Sequence, residues 1–261
     1  EELRRIEVIH LDAWVNQFLR ESGFSAQIGY DDVINPLWER AVLLANIDLP
    51  YETTFYEEEW NRIVIAQEAL TLEKYVKVTR NGRGTRLDRK KRMQVWKVFE
   101  NYQNLMKENQ IRDINTAMYE CTKLLQSAGR KPRYASIIID EGQDFSDNAY
   151  RLIRALAGEE HPNDIFIVGD SHQRIYRNHP TLSKCGINVR GRSSILKINY
   201  RTTEEIRKHA FALLNGISFD DLDEDLDLGD KCQSLTHGEK PIVENFENAN
   251  DEFDFLLREV K

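Results

Sequence analysis

Residues 137–144 read Ile137-Ile138-Ile139-Asp140-Glu141-Gly142-Gln143-Asp144. An unbroken apolar run without polar alternation suits a strand covered on both faces, and this one ends abruptly in two acids. The design recurs at Ile165-Phe166-Ile167-Val168-Gly169-Asp170-Ser171-His172-Gln173 and at Ile195-Leu196-Lys197-Ile198-Asn199-Tyr200-Arg201. Helices separate the three runs. Ser146 is placed to N-cap a helix reaching Gly158. Thr202 and Glu205 form a capping box for a helix that stops at Gly216. Ile242 to Phe246 is a further strand candidate, followed by an amphipathic helix from about Asp251. Upstream, Ile6-Glu7-Val8-Ile9-His10 predicts a short buried strand. Leu11, Trp14, Val15, Phe18 and Leu19 then fall on one helical face. Such strands alternating with helices predict an α/β fold built on a parallel, doubly covered sheet.

Between Asp31 and Ala128 the rhythm is helical. Leu37, Ala41, Leu44 and Ala45 form one stripe, and Trp60, Ile63, Val64 and Ala66 to Leu70 begin another. Val95, Phe99, Tyr102, Leu105 and Met106 form a third, and Ile114, Ala117, Met118, Cys121, Leu124 and Leu125 a fourth. The architecture expected is a sheet domain with a long helical insertion after its first strand.

Composition narrows the class. The chain has 261 residues, long enough for a substantial core. With 41% hydrophobic and 10% aromatic residues it is not a disordered chain. No apolar run approaches the roughly 20 residues that span a bilayer. Cys121, Cys185 and Cys232 are widely separated, which argues against a disulfide framework or zinc site and for a reducing cytoplasm. His161, His172 and His179 have no supporting ligand spacing, and the four tryptophans lie in helical patterns that suit a core.

The formal charge is −8, but it is unevenly spread. Arg80, Arg83, Arg86, Arg89, Lys90, Lys91 and Arg92 are opposed only by Asp88. Screening confines each charge to about 10 Å, so this patch can bind phosphate within an acidic protein. Its plainer reading is a solvated loop leading into a charged helix. From Asp220 to Asp230 the balance reverses, and that stretch reads as a solvated linker pinned by Leu222, Leu226 and Leu228.

In open parallel sheets, ligands bind beyond the carboxyl ends of the strands. Of the adjacent acids Asp140 and Glu141, one suits Mg²⁺ and the other suits accepting a proton from an attacking water. Gln173 suits sensing a terminal phosphate, Arg201 neutralising phosphate charge, and Tyr200 stacking on a base. Each cluster alone also has a structural reading: a helix cap, a turn at Gly169-Asp170, a salt bridge at a helix start. Three in order, each at a strand exit, point to nucleotide chemistry.

These segments resemble motifs II, III and IV of the UvrD/Rep family of superfamily 1 DNA helicases. The family wording D-E-x-Q-D matches Asp140-Glu141-Gly142-Gln143-Asp144. The wording V-G-D-x-x-Q-x-I-Y matches Val168 to Tyr176, and N-Y-R-[ST] matches Asn199-Tyr200-Arg201-Thr202. The resemblance covers about residues 134–216 directly and 6–19 more loosely. It implies a RecA-like P-loop NTPase sheet with a large helical insertion, truncated at both ends. Residues 1–30 would begin the first RecA-like domain, and 31–130 would form a helical accessory subdomain. Residues 131–216 would complete the first domain, and 217–261 would be a linker and the start of the second.

It further implies ATP and Mg²⁺ as cofactors, single-stranded or partly duplex DNA as partner, movement from 3′ to 5′, and a place in DNA repair. Asp140 and Glu141 would hold the metal, with Glu141 also activating water. Gln173 and Arg201 would contact the γ-phosphate, and Tyr200 the adenine. Tyr176 would line the single-strand path, with Arg89, Lys90, Lys91 and Arg92 as further nucleic-acid contacts. The family commonly follows Ile-Tyr with Trp-Arg-Gly. Here Arg177-Asn178-His179-Pro180 follows instead, leaving His179 as a weak stacking residue.

No G-x-x-x-x-G-K-[ST] occurs, and none of the 13 glycines precedes a lysine. Without that loop tight ATP binding is not expected of this chain alone. In the family it precedes the strand matched by Ile6 to His10, so it is expected before Glu1, with motifs V and VI after Lys261. The alternative is a non-hydrolysing helicase-like module that binds nucleic acid or protein through the basic patch.

Overall fold

The computed structural model describes residues 6–80, 83–127, 134–173, 181–214, 219–220, 226–227 and 232–259. The chain divides into two compact units, Glu1–Val189 and Arg190–Lys261. The division falls within the 131–216 stretch that the sequence motifs group together.

The first unit begins with α1 (Leu11–Glu21) and β1 (Gln27–Gly29). The helices α2 (Asp31–Ala45) and α3 (Thr53–Glu59) follow, and α3 runs into a π-helical turn at Trp60–Ile65. Next come α4 (Leu72–Lys77), α5 (Arg89–Glu108), β2 (Ile111–Asp113), α6 (Ile114–Ser127), β3 (Ile137–Ile139), α7 (Asp147–Ala157) and β4 (Ile165–Ile167). Two apolar cores organise them. The larger joins α2 to α5 around Trp38, Trp60, Phe99 and Tyr102, with the Trp38 ring stacked on Tyr102 at 3.6 Å between centroids. The wider π turn brings the consecutive residues Ile63, Val64 and Ile65 inside together. The second core joins Trp14, Val15, Phe18 and Leu19 of α1, Ala117, Met118 and Cys121 of α6, and Ala149, Leu152 and Leu156 of α7. All four tryptophans are buried. The stripes of α5, α6 and the π turn therefore mark real core faces, whereas α2 turns Ile34, Trp38 and Ala41 inward and leaves Leu44, expected in its stripe, 56% exposed.

The strands depart from expectation. Among the described residues there are four two-stranded sheets, not one broad sheet. β3 pairs with β4 in parallel, with Ile138 opposite Phe166. Ile139 is buried, whereas Ile138 and Phe166 are 76% and 63% exposed on the other face. β1 and β2 also pair in parallel, bracketing the helical body. Ile6–His10 forms no strand, and Ile6, Val8 and Ile9 are exposed. A strand exists only through a neighbour that takes its backbone hydrogen bonds, and apolar composition supplies none.

In the second unit, β5 (Ile198–Asn199) pairs in parallel with β8 (Gln233–Ser234), and β6 (Phe219–Asp220) pairs antiparallel with β7 (Leu226–Asp227). The helices are α8 (Glu204–Ala212) and α9 (Ala249–Glu259), the latter without buried residues. The run Ile195 to Tyr200 thus shrinks to a two-residue strand, and residues 242–246 form none. Thr203, not Thr202, caps α8, accepting from the Ile206 N–H at 3.4 Å. Thr202 is occupied by Asn199, whose Nδ2 donates to its hydroxyl at 2.6 Å.

The basic run resolves into two kinds of cation. Glu59 is fully buried and accepts from Arg80 Nε at 2.5 Å, Arg80 Nη2 at 2.8 Å, Arg83 Nε at 2.9 Å and the Tyr75 hydroxyl at 2.9 Å. Arg83 also pairs with Glu58 and donates to the Phe55 carbonyl. Burial, with the Glu59 charge alongside, pushes the Tyr75 phenol well above its usual range. Arg92 donates to the carbonyls of Tyr75 (2.9 Å) and Val78 (2.7 Å), satisfying the C-terminal end of α4. Arg86, Arg89 and Lys90 remain exposed. Removing one member of a buried ion pair costs about 3–5 kcal/mol. Glu59→Gln is therefore expected to lower stability by about that amount in urea titration, whereas Arg89→Ala changes it by about 0.5 kcal/mol or less. Equal midpoints for the two variants would contradict this division.

Candidate active site

The site residues of the first unit stand where β3 and β4 end. Asp140 leaves β3 exposed to solvent, and its Oδ1 accepts from the Glu141 N–H at 3.0 Å. Glu141 adopts the left-handed region, with φ 53° and ψ 41°. That conformation costs a non-glycine residue about 1–2 kcal/mol and turns the chain sharply out of the strand. One 3₁₀ turn, Gly142–Asp144, follows. Ser146 then caps α7, accepting from the Ala149 N–H at 3.3 Å, and Gly158 ends that helix at φ 79°.

The second exit lies against the first. The Val168 N–H donates to the Ile139 carbonyl at 2.8 Å, and the Gly142 N–H donates to the Val168 carbonyl at 2.8 Å. Gln143, 2% exposed, joins the two loops through its side chain. Its Nε2 donates to Glu141 Oε2 at 2.7 Å, and its Oε1 accepts from the Asp170 N–H at 2.9 Å. Asp170 Oδ2 accepts from Gln173 Nε2 at 2.8 Å, and its Oδ1 accepts from the His172 N–H at 3.0 Å. Glu141 and Gln173 therefore belong to one hydrogen-bonded group.

Two glycines make this approach possible. A Cβ on Gly169 would lie 2.7 Å from Gln143 Oε1. One on Gly142 would lie 2.6 Å from Ile167 Cγ2 and 2.8 Å from the Tyr150 hydroxyl, which donates to the Gly142 carbonyl at 2.5 Å. Sequence reasoning gave Gln143, Asp170 and Tyr150 no role. The available signal was a glycine at each strand exit, which marks close backbone approach.

The residues present fit a hydrated divalent cation carried in with phosphates. Asp140 and Glu141 offer hard oxygen donors, and Asp144 Oδ1 is a buried acceptor without a hydrogen-bond partner among the described residues. Among the described residues no group of three or more His, Cys, Asp or Glu forms a complete cage. Mg²⁺ is usually held by one or two carboxylates, with phosphate and water completing the shell, so an all-protein cage is not required.

Tyr200 and Arg201 belong to the second unit. Asn199 Oδ1 accepts from the Arg201 N–H at 2.9 Å and the Thr202 N–H at 3.3 Å, which sets a tight turn after β5. Tyr200 is 75% exposed. Arg201 is exposed and makes no ion pair among the described residues. Glu204 is tied to Arg207 and accepts from the Ser234 N–H, and these bonds hold its carboxyl down at about 2. Tyr176 and His179 lie outside the described residues. Lys91 sits in the first turn of α5, its N–H capped by Asp88 Oδ1 at 2.8 Å.

A cleft of about 950 Å³ opens elsewhere in the first unit, lined by α6, α7 and residues 158–161, and none of Asp140, Glu141, Gln143 or Gln173 borders it. Cys185 borders it, but burial first and Asp147 second push its thiol up to about 12. Burial likewise pushes Cys121 up to about 12. Neither thiol is a nucleophile at neutral pH. Among the described residues no helix is long and apolar enough to cross a membrane.

A search of curated proteins returns no match. The family model for the UvrD/REP helicase N-terminal domain matches residues 16–179, well over half of the chain and both of the strand exits just described. With the motif residues set side by side on β3 and β4 and that match running through them, the chain belongs to the UvrD/Rep helicase family.

Proposed function

We propose that this chain is part of an ATP-dependent DNA helicase or translocase that couples ATP hydrolysis to 3′-to-5′ movement on single-stranded DNA. The observation that carries the reading is the hydrogen-bonded group joining Glu141 to Gln173 through Gln143 and Asp170. Residues 31–130 act as the accessory helical subdomain on this reading. Residues 1–30 and 131–216 belong to the first RecA-like domain, and 217–261 lead into the second.

Glu141 is the general base. One carboxylate oxygen is held by Gln143, which leaves the other to take a proton from the attacking water. Asp140 holds the metal together with Glu141, and the bound Mg²⁺ supplies charge neutralisation on the phosphates. Gln173 reads the γ-phosphate. Its amide rests on Asp170 and exchanges that partner for phosphate oxygen, so the loop after β4 has two bonding states. Tyr200 stacks on the adenine, and Arg201 neutralises charge developing on the transferred phosphoryl group. Tyr176 and His179 contribute stacking surfaces for DNA bases.

Arg89, Lys90 and Lys91 open α5, where three cations oppose the helix dipole. Their placement suits phosphate contact better than helix stability. Arg92 was expected among them, but its bonds to the α4 carbonyls make it structural.

The deciding experiment is ATP hydrolysis by the full-length protein with and without single-stranded DNA. Stimulation by DNA supports the motor reading, and hydrolysis in neither condition supports a non-hydrolysing binding module. In the same protein, Glu141→Gln is expected to lower kcat by about 100-fold or more while sparing ATP binding. Undiminished turnover would remove Glu141 from its role. Replacing Arg89, Lys90 and Lys91 by alanine should weaken DNA binding. On a single strand it should also reduce the slope of log K against log salt by about 0.7 for each phosphate that the variant no longer neutralises. An unchanged slope would return these side chains to the solvated surface.

A further inference from the structure

The roles proposed above leave Gln143 without a task, although it is the most buried polar side chain of the two loops. We infer that Gln143 is the positioning residue that yokes the Glu141 carboxylate to the loop carrying Gln173, so that one cannot shift without the other. This rests on the reading of Glu141 as general base.

The chemistry of the amide supports the assignment. The Asp170 N–H can only donate, and the Glu141 carboxylate, when ionised, can only accept. A side chain lying between them must accept at one end and donate at the other, and the Gln143 amide does both at 2.9 Å and 2.7 Å. Its orientation is thereby fixed by its partners. Burying an amide is unfavourable unless both ends are bonded. An apolar side chain of the same length would fill the slot between Gly142 and Gly169 without that penalty.

The loops do not need Gln143 to stay together. Two backbone bonds, Val168 N–H to Ile139 O and Gly142 N–H to Val168 O, already join the strand exits. What Gln143 adds is a bond to an exposed carboxylate that contributes nothing to a core. Asp170, whose N–H it holds, carries Gln173 on its own carboxylate. Movement of Gln173 onto a phosphate is thus relayed through Asp170 and the amide to Glu141.

The test compares wild type, Gln143→Glu and Gln143→Met in the full-length protein, reading kcat and KM for ATP with single-stranded DNA, together with Tm. Gln143→Glu keeps the acceptor for Asp170 and the volume and, when ionised, loses the donor to Glu141. Gln143→Met keeps the volume and loses both bonds. Displacing a catalytic group by about 1 Å costs on the order of 100-fold. Both variants are therefore expected to lose about tenfold or more in kcat, with KM within about threefold of wild type. Tm should not fall enough to account for the loss. Wild-type kcat in Gln143→Met, or a loss matched by the unfolded fraction in both variants, overturns the positioning role and leaves the base assignment standing. Absence of hydrolysis in the wild-type protein overturns both.

Discussion

The arrangement of the two strand exits depends on two backbone hydrogen bonds, Val168 N–H to Ile139 O and Gly142 N–H to Val168 O. They carry the β3–β4 ladder past its last paired residues, so both chains leave the sheet in step. Polar side chains on the two exits can then meet without a long reach. The cost appears in sequence as glycine at 142 and 169, where a Cβ would collide with Ile167 and with Gln143. It appears in backbone as the left-handed Glu141. Strain and close approach fall together at one strand end, which is where open α/β sheets place ligands.

Charge is used in two opposite ways. Glu59 is buried and saturated by two arginines and a tyrosine, which fixes how α3, α4 and the following loop pack. Asp140 and Glu141 are exposed and, among the described residues, each keeps an oxygen free of protein partners. A saturated carboxylate is a structural device, because its oxygens have no capacity left for a ligand. A half-satisfied exposed carboxylate costs little to maintain and remains available for chemistry.

Much of this was legible in the sequence, and the failures have physical causes. Helical stripes were readable because a period of 3.6 residues persists over many turns, and every tryptophan assigned to a core is in one. The run 137–139 was readable as a strand. The run 6–10, apolar at Ile6, Val8 and Ile9, is not a strand, because pairing is a property of two segments and composition reports only one. The α8 cap moved by one residue because Asn199 draws Thr202 into the preceding turn, leaving Thr203 to cap. The basic run looked uniform because charge in sequence does not say which guanidinium is buried. Arg80, Arg83 and Arg92 are internal ligands, while Arg86, Arg89 and Lys90 face solvent. Gln143 was part of a quoted motif yet carried no role, because its two partners lie 2 residues before it and 27 residues after it.

The helical body and the strand exits meet on α6, through Tyr119 packed against the larger core and through polar anchors. Asp113 caps α6 by accepting from the Thr116 N–H at 2.8 Å and the Thr116 hydroxyl at 2.7 Å, and it also accepts from the Tyr102 hydroxyl of α5 at 3.1 Å. Trp60 Nε1 points at the same threonine. Next to it, Asn115 accepts from the Ser146 hydroxyl at 2.9 Å, and Ser146 is the cap of α7 immediately after the Gly142–Asp144 turn. Buried hydrogen bonds of this kind are directional, so they fix the angle at which α6 leaves the helical body and the place where α7 begins. Apolar packing between α6 and α7 tolerates small slides; the Asn115–Ser146 bond tolerates far less. The position of the turn carrying Glu141 and Gln143 is therefore set from two sides, by the β3–β4 ladder and by the first turn of α6.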